Sequence, residues 1–250
     1  MKNKLLKISN SIKGPILWIT FMLITGSLAF KWANFNKAFI VDNVEIKGIN
    51  YFDDSMLLDF KSKIQNQNIF ISNLHEYKEL IESLDHIKDS KVSKIFPNTV
   101  QIDIYEREPL AMISSNDLII LDAEGICLPV EYCEISLPIL SNFKSNQELY
   151  EKGKKTKSSN VLTSIDIIKY SKDNYRSLYN NISEFVFNED DEYEIILKNG
   201  RTRILLGDNN IYTKINNLNA FSDMLPEEKT LESYRYIDLR YKKQIVVDEI

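Results

Sequence analysis

Cys127 and Cys133, in the stretch ICLPVEYC, are the residues whose type and spacing first suggest chemistry. In an oxidising compartment such a pair, separated by five residues, could close a small disulfide loop. Two cysteines with two distant histidines fall short of a structural zinc site. The other reading is one buried thiol and one idle thiol. Asp122 and Glu124 could be a carboxylate pair for glycosyl chemistry, but they flank a turn ahead of Gly125, and turns collect acids without a catalytic reason. Glu189-Asp190-Asp191-Glu192 could attract calcium weakly and reads better as a solvated turn. His75 and His86 fall at the two ends of one expected helix, where capping or surface roles explain them. With seven glycines the chain has no phosphate cradle, no GxSxG elbow and no HExxH pair. The expectation is therefore a protein without a catalytic site, a metal or a cofactor.

The elements around these residues fall into two groups. In the first, 41–46 reads as a strand that turns at Gly48. A helix follows from about Asp53 or Asp54, with Met56, Leu57, Phe60 and Ile64 on one face. A second helix is expected from Asn73, with Glu76 placed as in a capping box and Tyr77, Leu80, Ile81 and Leu84 at spacings of three and four. Strands at 89–96 and 99–106 join at Pro97-Asn98, and Val100, Ile102 and Ile104 alternate with polar neighbours. The order is β-α-α-β-β. In the second group, 118–121 and 126–128 flank a turn at Gly125, while 193–198 and 201–206 flank Asn199-Gly200, a strong hairpin signal. Helical spacing joins Val161, Leu162, Ile165 and Ile168, and again Ile211, Ile215, Leu218, Phe221 and Leu225. The polar, lysine-rich run 141–159 reads as a mobile loop. Together these make an α+β chain: an N-terminal transmembrane helix, the β-α-α-β-β module, then a β-rich domain with flanking helices.

The N-terminus sets the compartment. Lys2, Lys4, Lys7 and Lys13 precede an uncharged run, GPILWITFMLITGSLAF, that ends before Lys31. A bilayer core of roughly 30 Å needs about 20 apolar residues, about 17 at the least. A span at 15–33 with a cytoplasmic tail at 1–14 fits, with Trp18 and Trp32 at the interfaces. Ser27-Leu28-Ala29 also allows a cleavable signal peptide, although the apolar run exceeds the ~7 to 15 residues usual there. Both readings export the rest. A net charge of -5, with acids interleaved among the bases, argues against nucleic acid as a partner.

The stretch YIDLRYKKQIVV poses a question of its own. Ile237, Leu239 and Tyr241 would share one strand face, with Tyr236, Asp238 and Arg240 on the other, and a second β-rich run follows at 245–247. An uncovered edge offers free N–H and C=O groups that proteins usually blunt unless something is meant to pair with them. The run is either a docking edge or a strand that completes the sheet, with lysines as edge protection.

Three stretches in order, VDNVEIKGINYF, KDSKVSKIFPNTVQIDIYEREPLAMI and LIILDAEGICL, resemble the POTRA module and following strands of the FtsQ/DivIB family of bacterial cell-division proteins. Leu137-Pro138-Ile139-Leu140 matches the family's LPxL, and YEIILKNGRTRILLG and YIDLRY look like its late hairpin and closing strand. Tyr193 stands where many members have tryptophan; Lys242-Lys243-Gln244 replaces a small, Gly-containing segment, and a late aromatic is missing. The resemblance implies a POTRA module at 39–107 and an FtsQ-type β domain at 108–250. It also implies a non-catalytic scaffold that is single-pass in the inner membrane, with a cytoplasmic N-terminus and periplasmic bulk, concentrated at the division site. By similarity the terminal strand would pair with a segment of FtsB, which holds FtsL, and the POTRA module and span would contact FtsK and FtsW. The candidate partner-binding residues are Tyr236, Arg240, Tyr241, Lys243, Gln244, Ile245, Val246 and Val247, with Tyr241 as aromatic anchor. Lys242, Lys243 and Arg240 would form a positive rim for steering an acidic segment. A POTRA-bearing component of outer-membrane assembly or secretion is the alternative, and no alternating barrel series after Glu106 supports it.

Overall fold

A computed structural model describes residues 2–51, 55–114, 118–129, 136–144 and 147–250. Two compact units interleave along the chain, one made of Met1–Gly48, Asp54–Ile81 and Ser90–Ile104, the other of Ile49–Asp53, Glu82–Asp89 and Tyr105–Ile250.

The first unit opens with helix α1 (Lys2–Phe35). Its segment Gly14–Phe35 has 22 residues of mean hydropathy 1.5 and is long and apolar enough to cross a membrane. Within it the Thr20 and Thr25 hydroxyls donate to the carbonyls of Ile16 (3.0 Å) and Phe21 (2.9 Å), so neither needs a partner outside the helix.

Beyond α1 come β1 (Asn43–Lys47), α2 (Ser55–Ile64), α3 (Leu74–Glu82), β2 (Ile87–Ile95) and β3 (Thr99–Glu106), the expected β-α-α-β-β order. The sheet order is β1-β3-β2, with β1 parallel to β3 and Val44 opposite Val100. Alternation works as read: Val100, Ile102 and Ile104 are buried, and so are Leu57, Ile64, Tyr77 and Ile81 of the two helices. The Asn73 side chain caps α3 by accepting the His75 N–H at 3.2 Å. The expected cap near Asp53 or Asp54 lies outside the described residues. β1 starts two residues later than read, because the main chain of Val41 bonds to Gln67 and Asn66 instead. Gly48 is needed where it stands: its φ is +91° and a β-carbon there would run into the Ile104 carbonyl oxygen.

The second unit holds a nine-stranded sheet of order β12-β11-β10-β9-β8-β7-β4-β5-β6. In chain order its elements are β4 (Pro109–Ser114), β5 (Leu118–Asp122), β6 (Cys127–Leu128), β7 (Ile139–Ser141), α4 (Ser159–Asn174), α5 (Arg176–Asn181), β8 (Ile182–Phe187), β9 (Tyr193–Leu197), β10 (Arg203–Gly207), α6 (Ile211–Asp223), β11 (Tyr234–Asp238) and β12 (Val246–Glu249). Parallel neighbours need a crossover, and helices supply it: α4 and α5 between β7 and β8, α6 between β10 and β11. Val161, Ile165 and Ile168 of α4 and Ile211, Ile215 and Leu218 of α6 join one buried cluster with Phe185, Ile195, Ile204 and Ile237 of the sheet. The helical spacing is therefore the core face.

The loop expected to be mobile at 141–159 is instead bonded along much of its length. Gly153 N–H donates to the Cys127 carbonyl (2.9 Å), Cys127 N–H to Lys154 (3.0 Å) and Thr156 N–H to Gly125 (2.8 Å). Tyr150 and Thr156 are buried. The strap is held by main-chain bonds, which its side-chain composition does not reveal, while Lys154 and Lys157 pair with Glu151 at its surface.

Candidate partner-docking edge

The eight residues singled out in the sequence gather at one end of the large sheet. β11 stops at Asp238, three residues short of the strand expected through Tyr241. The cause is local: the Asp238 carboxylate accepts the Arg240 N–H at 2.9 Å and turns the chain, while Leu239 N–H still donates to Leu205 at 3.0 Å. Lys243, at φ +65°, completes the reversal, and β12 returns antiparallel to β11 with Ile237 opposite Val247 and Asp238 opposite Val246. The outermost strand is thus β12, not 236–241, and it runs on to Glu249.

Strand alternation fixes which main-chain groups face outward. Leu239 N–H points at β10, so Asp238 and Tyr236 present theirs to β12. From the other strand, Ile250 N–H donates to Ser233 at 3.2 Å, which turns Asp248 and Val246 toward β11. Both bonds give the same answer: the N–H and C=O groups of Val247 and Glu249 lie on the side away from β11. The opposite end of the sheet differs. There β6 is covered by the 152–155 strap through the bridges Cys127 to Lys152 and Ile126 to Lys155. Among the described residues β12 has β11 as its sheet neighbour and no strand on its other side.

Side chains divide between the two faces. Val247 and Ile245 pack onto the large core. On the opposite face Tyr236, Arg240, Tyr241 and Val246 line a groove of about 710 Å³ with Glu194 and Arg203. Lys243, Gln244 and Ile245 border a smaller recess of about 290 Å³ beside Lys214 of α6, and Tyr241 borders both. Tyr241 is 54% exposed and Tyr236 37%.

The groove is laced with ion pairs. Arg240 holds Asp238 at 2.7 Å and Glu192 at 3.0 Å, and Arg203 holds Glu194 at 2.6 Å. Burial pushes the Asp238 carboxyl up, but hydrogen bonds from the Arg240 side chain and backbone and its charge outweigh that and hold it below the ordinary range. The same hydrogen bond raises Arg240 further above its already high value. Arg240 therefore fastens the turn, and its charge is offset. Of the positive rim read from the sequence, Lys242 and Lys243 remain exposed. Arg235 reaches Asp248 (3.7 Å) and Lys229 reaches Glu249 (2.6 Å), two acids of β12 that the sequence reading left out. Acids are weak strand formers, and the signal for them would have been the cross-strand bases.

The other chemistry-bearing residues have structural occupations. Asp122 accepts the N–H groups of Glu124 and Ile126 (both 2.8 Å) and pairs with Arg107 (2.8 Å), which also reaches Glu124 (3.1 Å). Glu124 pairs with Arg107 and Lys88 at the surface, and Asp122 closes the turn. Asn188 does the same for the acidic run, accepting the Asp190 and Glu192 N–H groups. His75 is exposed beside Glu79, whereas His86, expected at a helix end, lies beyond α3 and is buried. Among the described residues no group of three or more His, Cys, Asp or Glu could hold a metal. Cys127 is buried, and burial, helped by Asp122, pushes its thiol up to about 11. Cys133, its candidate disulfide partner, lies outside the described residues.

With this geometry in place, comparison with known sequences decides the family. The family profile described as FtsQ/DivIB, C-terminal related, matches residues 108–247, and that described as POTRA domain, FtsQ-type, matches 39–107. The chain belongs to the FtsQ/DivIB family. Similar proteins include the Cell division protein FtsQ of Koribacter versatilis, 20% identical over 214 residues that cover 83% of this chain and 59% of that protein. The Cell division protein DivIB of Clostridium acetobutylicum is 24% identical over 229 residues, covering 88% of this chain and 85% of the relative. The Cell division protein FtsQ of Rickettsia bellii is 33% identical over 88 residues, 35% of this chain and 33% of that protein. Thus the chain aligns with 59% of the Koribacter protein's length and a third of the Rickettsia protein's. The β11–β12 edge falls largely within the match to the family's C-terminal profile, and α1 precedes the POTRA match, consistent with a single-pass inner-membrane protein.

Proposed function

We propose that this chain is a non-catalytic scaffold of cell division. In this reading α1 anchors it in the inner membrane with the N-terminus in the cytoplasm, both units lie on the periplasmic side, and the protein concentrates at the division site. It docks a segment of an FtsB-like protein, itself bound to an FtsL-like one, by adding a strand to β12. The POTRA module and the span supply further contacts, with FtsK-like and FtsW-like proteins as the candidates.

One observation carries the docking reading: the sheet's far edge at β6 is covered by a strap, whereas at β12 the main-chain groups of Val247 and Glu249 face away from the sheet. Strand addition draws affinity from such groups and specificity from alternate side chains. Tyr236, Val246 and Tyr241 on one face, and Ile245 and Val247 on the other, are placed to read those side chains. Lys242 and Lys243 favour an acidic partner segment.

Calorimetric titration tests it, with the exported segment of an FtsB-like protein added to the chain in nanodiscs, beside a version ending at Arg240 whose fold is checked by circular dichroism. Binding by the chain and none by the folded truncation is expected. Equal binding by both would move the interface away from β12.

A further inference from the structure

Three turns at one end of the first unit bring apolar side chains to its surface with little to cover them. The first is the hydrogen-bonded turn that ends α1: Asn36 N–H donates to Trp32, Ala38 to Ala33 and Ile40 to Lys37, which keeps Phe39 within a turn of the helix end. The second, at 68–72, is strapped to it. Ile69 N–H donates to the Phe39 carbonyl at 2.9 Å and Ile40 bridges Asn68. Asn68 Oδ1 then accepts the Phe70 N–H (3.0 Å), an Asx turn that lifts Phe70 and Ile71 outward. The third is the β2–β3 connection carrying Phe96. The rings meet: Phe70 lies 4.9 Å from Phe39 and 5.2 Å from Phe96, centroid to centroid. Phe70 is 56% exposed, Phe96 56% and Ile71 81%. Within a soluble surface such a cluster is out of place.

Two features of the surrounding structure name its occupant. The cluster is built on the turn that closes the apolar helix, so it sits at the depth where the segment leaves hydrocarbon, the zone of roughly 5–8 Å per side that aromatic side chains favour. Its polar company is basic: Lys31 near the end of α1 and Lys37 on the turn that follows are exposed, and Lys94 Nζ lies 3.5 Å from the Phe70 carbonyl oxygen. Apolar rings beside lysines at the end of a span match the boundary of a bilayer carrying anionic headgroups.

We propose that Phe39, Phe70, Ile71 and Phe96 form a second membrane contact, a foot that inserts into the headgroup boundary beside α1 and holds the first unit against the bilayer. The proposal rests on α1 being a membrane span. The foot would restrict the tilt of the unit about the 36–40 turn, which a lone helix and linker would leave free.

The test uses the full chain in nanodiscs, with a small environment-sensitive fluorescent amino acid placed by codon suppression at position 71, or as a reference at position 224, where Met224 is 82% exposed. Lipids brominated high on the acyl chain are the quencher, in phosphatidylcholine alone and with added phosphatidylglycerol. Position 71 is expected to emit to the blue and be quenched about twofold or more, more strongly with the anionic lipid, while position 224 stays unquenched. Retention of the chain in the disc with no quenching at 71 would overturn the foot and leave the span intact, pointing to a protein partner for the cluster. Equal quenching at both positions would assign the effect to the label and overturn it too. Loss of the chain from the disc would defeat the span and the foot together.

Discussion

Arg240 and Tyr241 stand side by side in the sequence and have different work. Arg240 is engaged by a buried carboxylate and by Glu192, so Arg240→Ala is expected to cost about 1–2 kcal/mol of folding stability, read by chemical denaturation, because Asp238 loses its partner. Tyr241 is exposed and borders both recesses, so Tyr241→Ala should leave the denaturation midpoint within about 0.5 kcal/mol of the parent while weakening partner binding by about 2 kcal/mol, roughly thirtyfold, in calorimetry. Unchanged affinity would remove it as an anchor. A second residue effect lies at His86. Burial holds its imidazole below the ordinary range near 6.5 against the opposing pull of Glu106 and Asp85. As pH falls the unfolded chain takes up the proton first. The stability from the neutral ring is therefore complete above about 6.5 and is lost as pH drops through the depressed folded-state value. The melting temperature is expected to fall further between about pH 7.5 and 5.5 for the parent chain than for His86→Gln. Parallel curves would show that the ring does not titrate in that window.

At the scale of the strand, the direction of each main-chain group makes a sharp prediction. Proline is tolerated on an edge strand where its missing N–H would have faced outward, and is damaging where that N–H belongs to the ladder. Val247→Pro is expected to abolish strand addition with a loss of no more than about 1 kcal/mol in stability, whereas Asp248→Pro, which removes a bond to β11, should lose about 3 kcal/mol or more. The pair is checked by denaturation and by titration with the partner segment. Binding retained by Val247→Pro would mean that the partner does not pair with β12. Much of this architecture was legible: the β-α-α-β-β order, the Asn199-Gly200 hairpin with Gly200 at φ +72°, and both amphipathic helices follow from periodicity and turn chemistry. What escaped has physical causes. β8 carries a register shift between Ile182 and Glu184 that breaks its alternation, and β7 has three residues, too few for a period. Sheet order is set by crossovers far apart in sequence, so no local pattern reveals that β7 lies between β4 and β8. The strand expected through Tyr241 stops early, because Asp238 turns the chain within an otherwise good β pattern, whereas the second β-rich run expected at 245–247 lies within one residue of the start of β12. The acidic half of β12 is legible only beside Arg235 and Lys229.

For the whole molecule the question is how the two units are held at the membrane. Four lysines precede the apolar run, and the bias that basic residues show for the cytoplasmic side is what supports the proposed orientation. Gly14–Phe35 passes the length test for a span, yet Ser27-Leu28-Ala29 lies within it, and cleavage there would free everything that follows. The two outcomes differ in mass and in partition. A phosphatase that is active only outside the cytoplasm, fused after Ile250, is expected to be active on a product of full length that stays with the membrane pellet after alkaline extraction. The span is what retains it: replacing Leu23 and Ile24 by lysine puts two charges near the helix centre, each costing about 2.5–3.5 kcal/mol there, and should release the chain or block its export. Active fusion found in the supernatant and shortened by roughly 30 residues would instead make the segment a signal peptide. The POTRA module would then begin a secreted protein, and a docking edge at β12 would have to find its partner without the confinement that a shared membrane provides, at the cost of the effective concentration that tethering supplies.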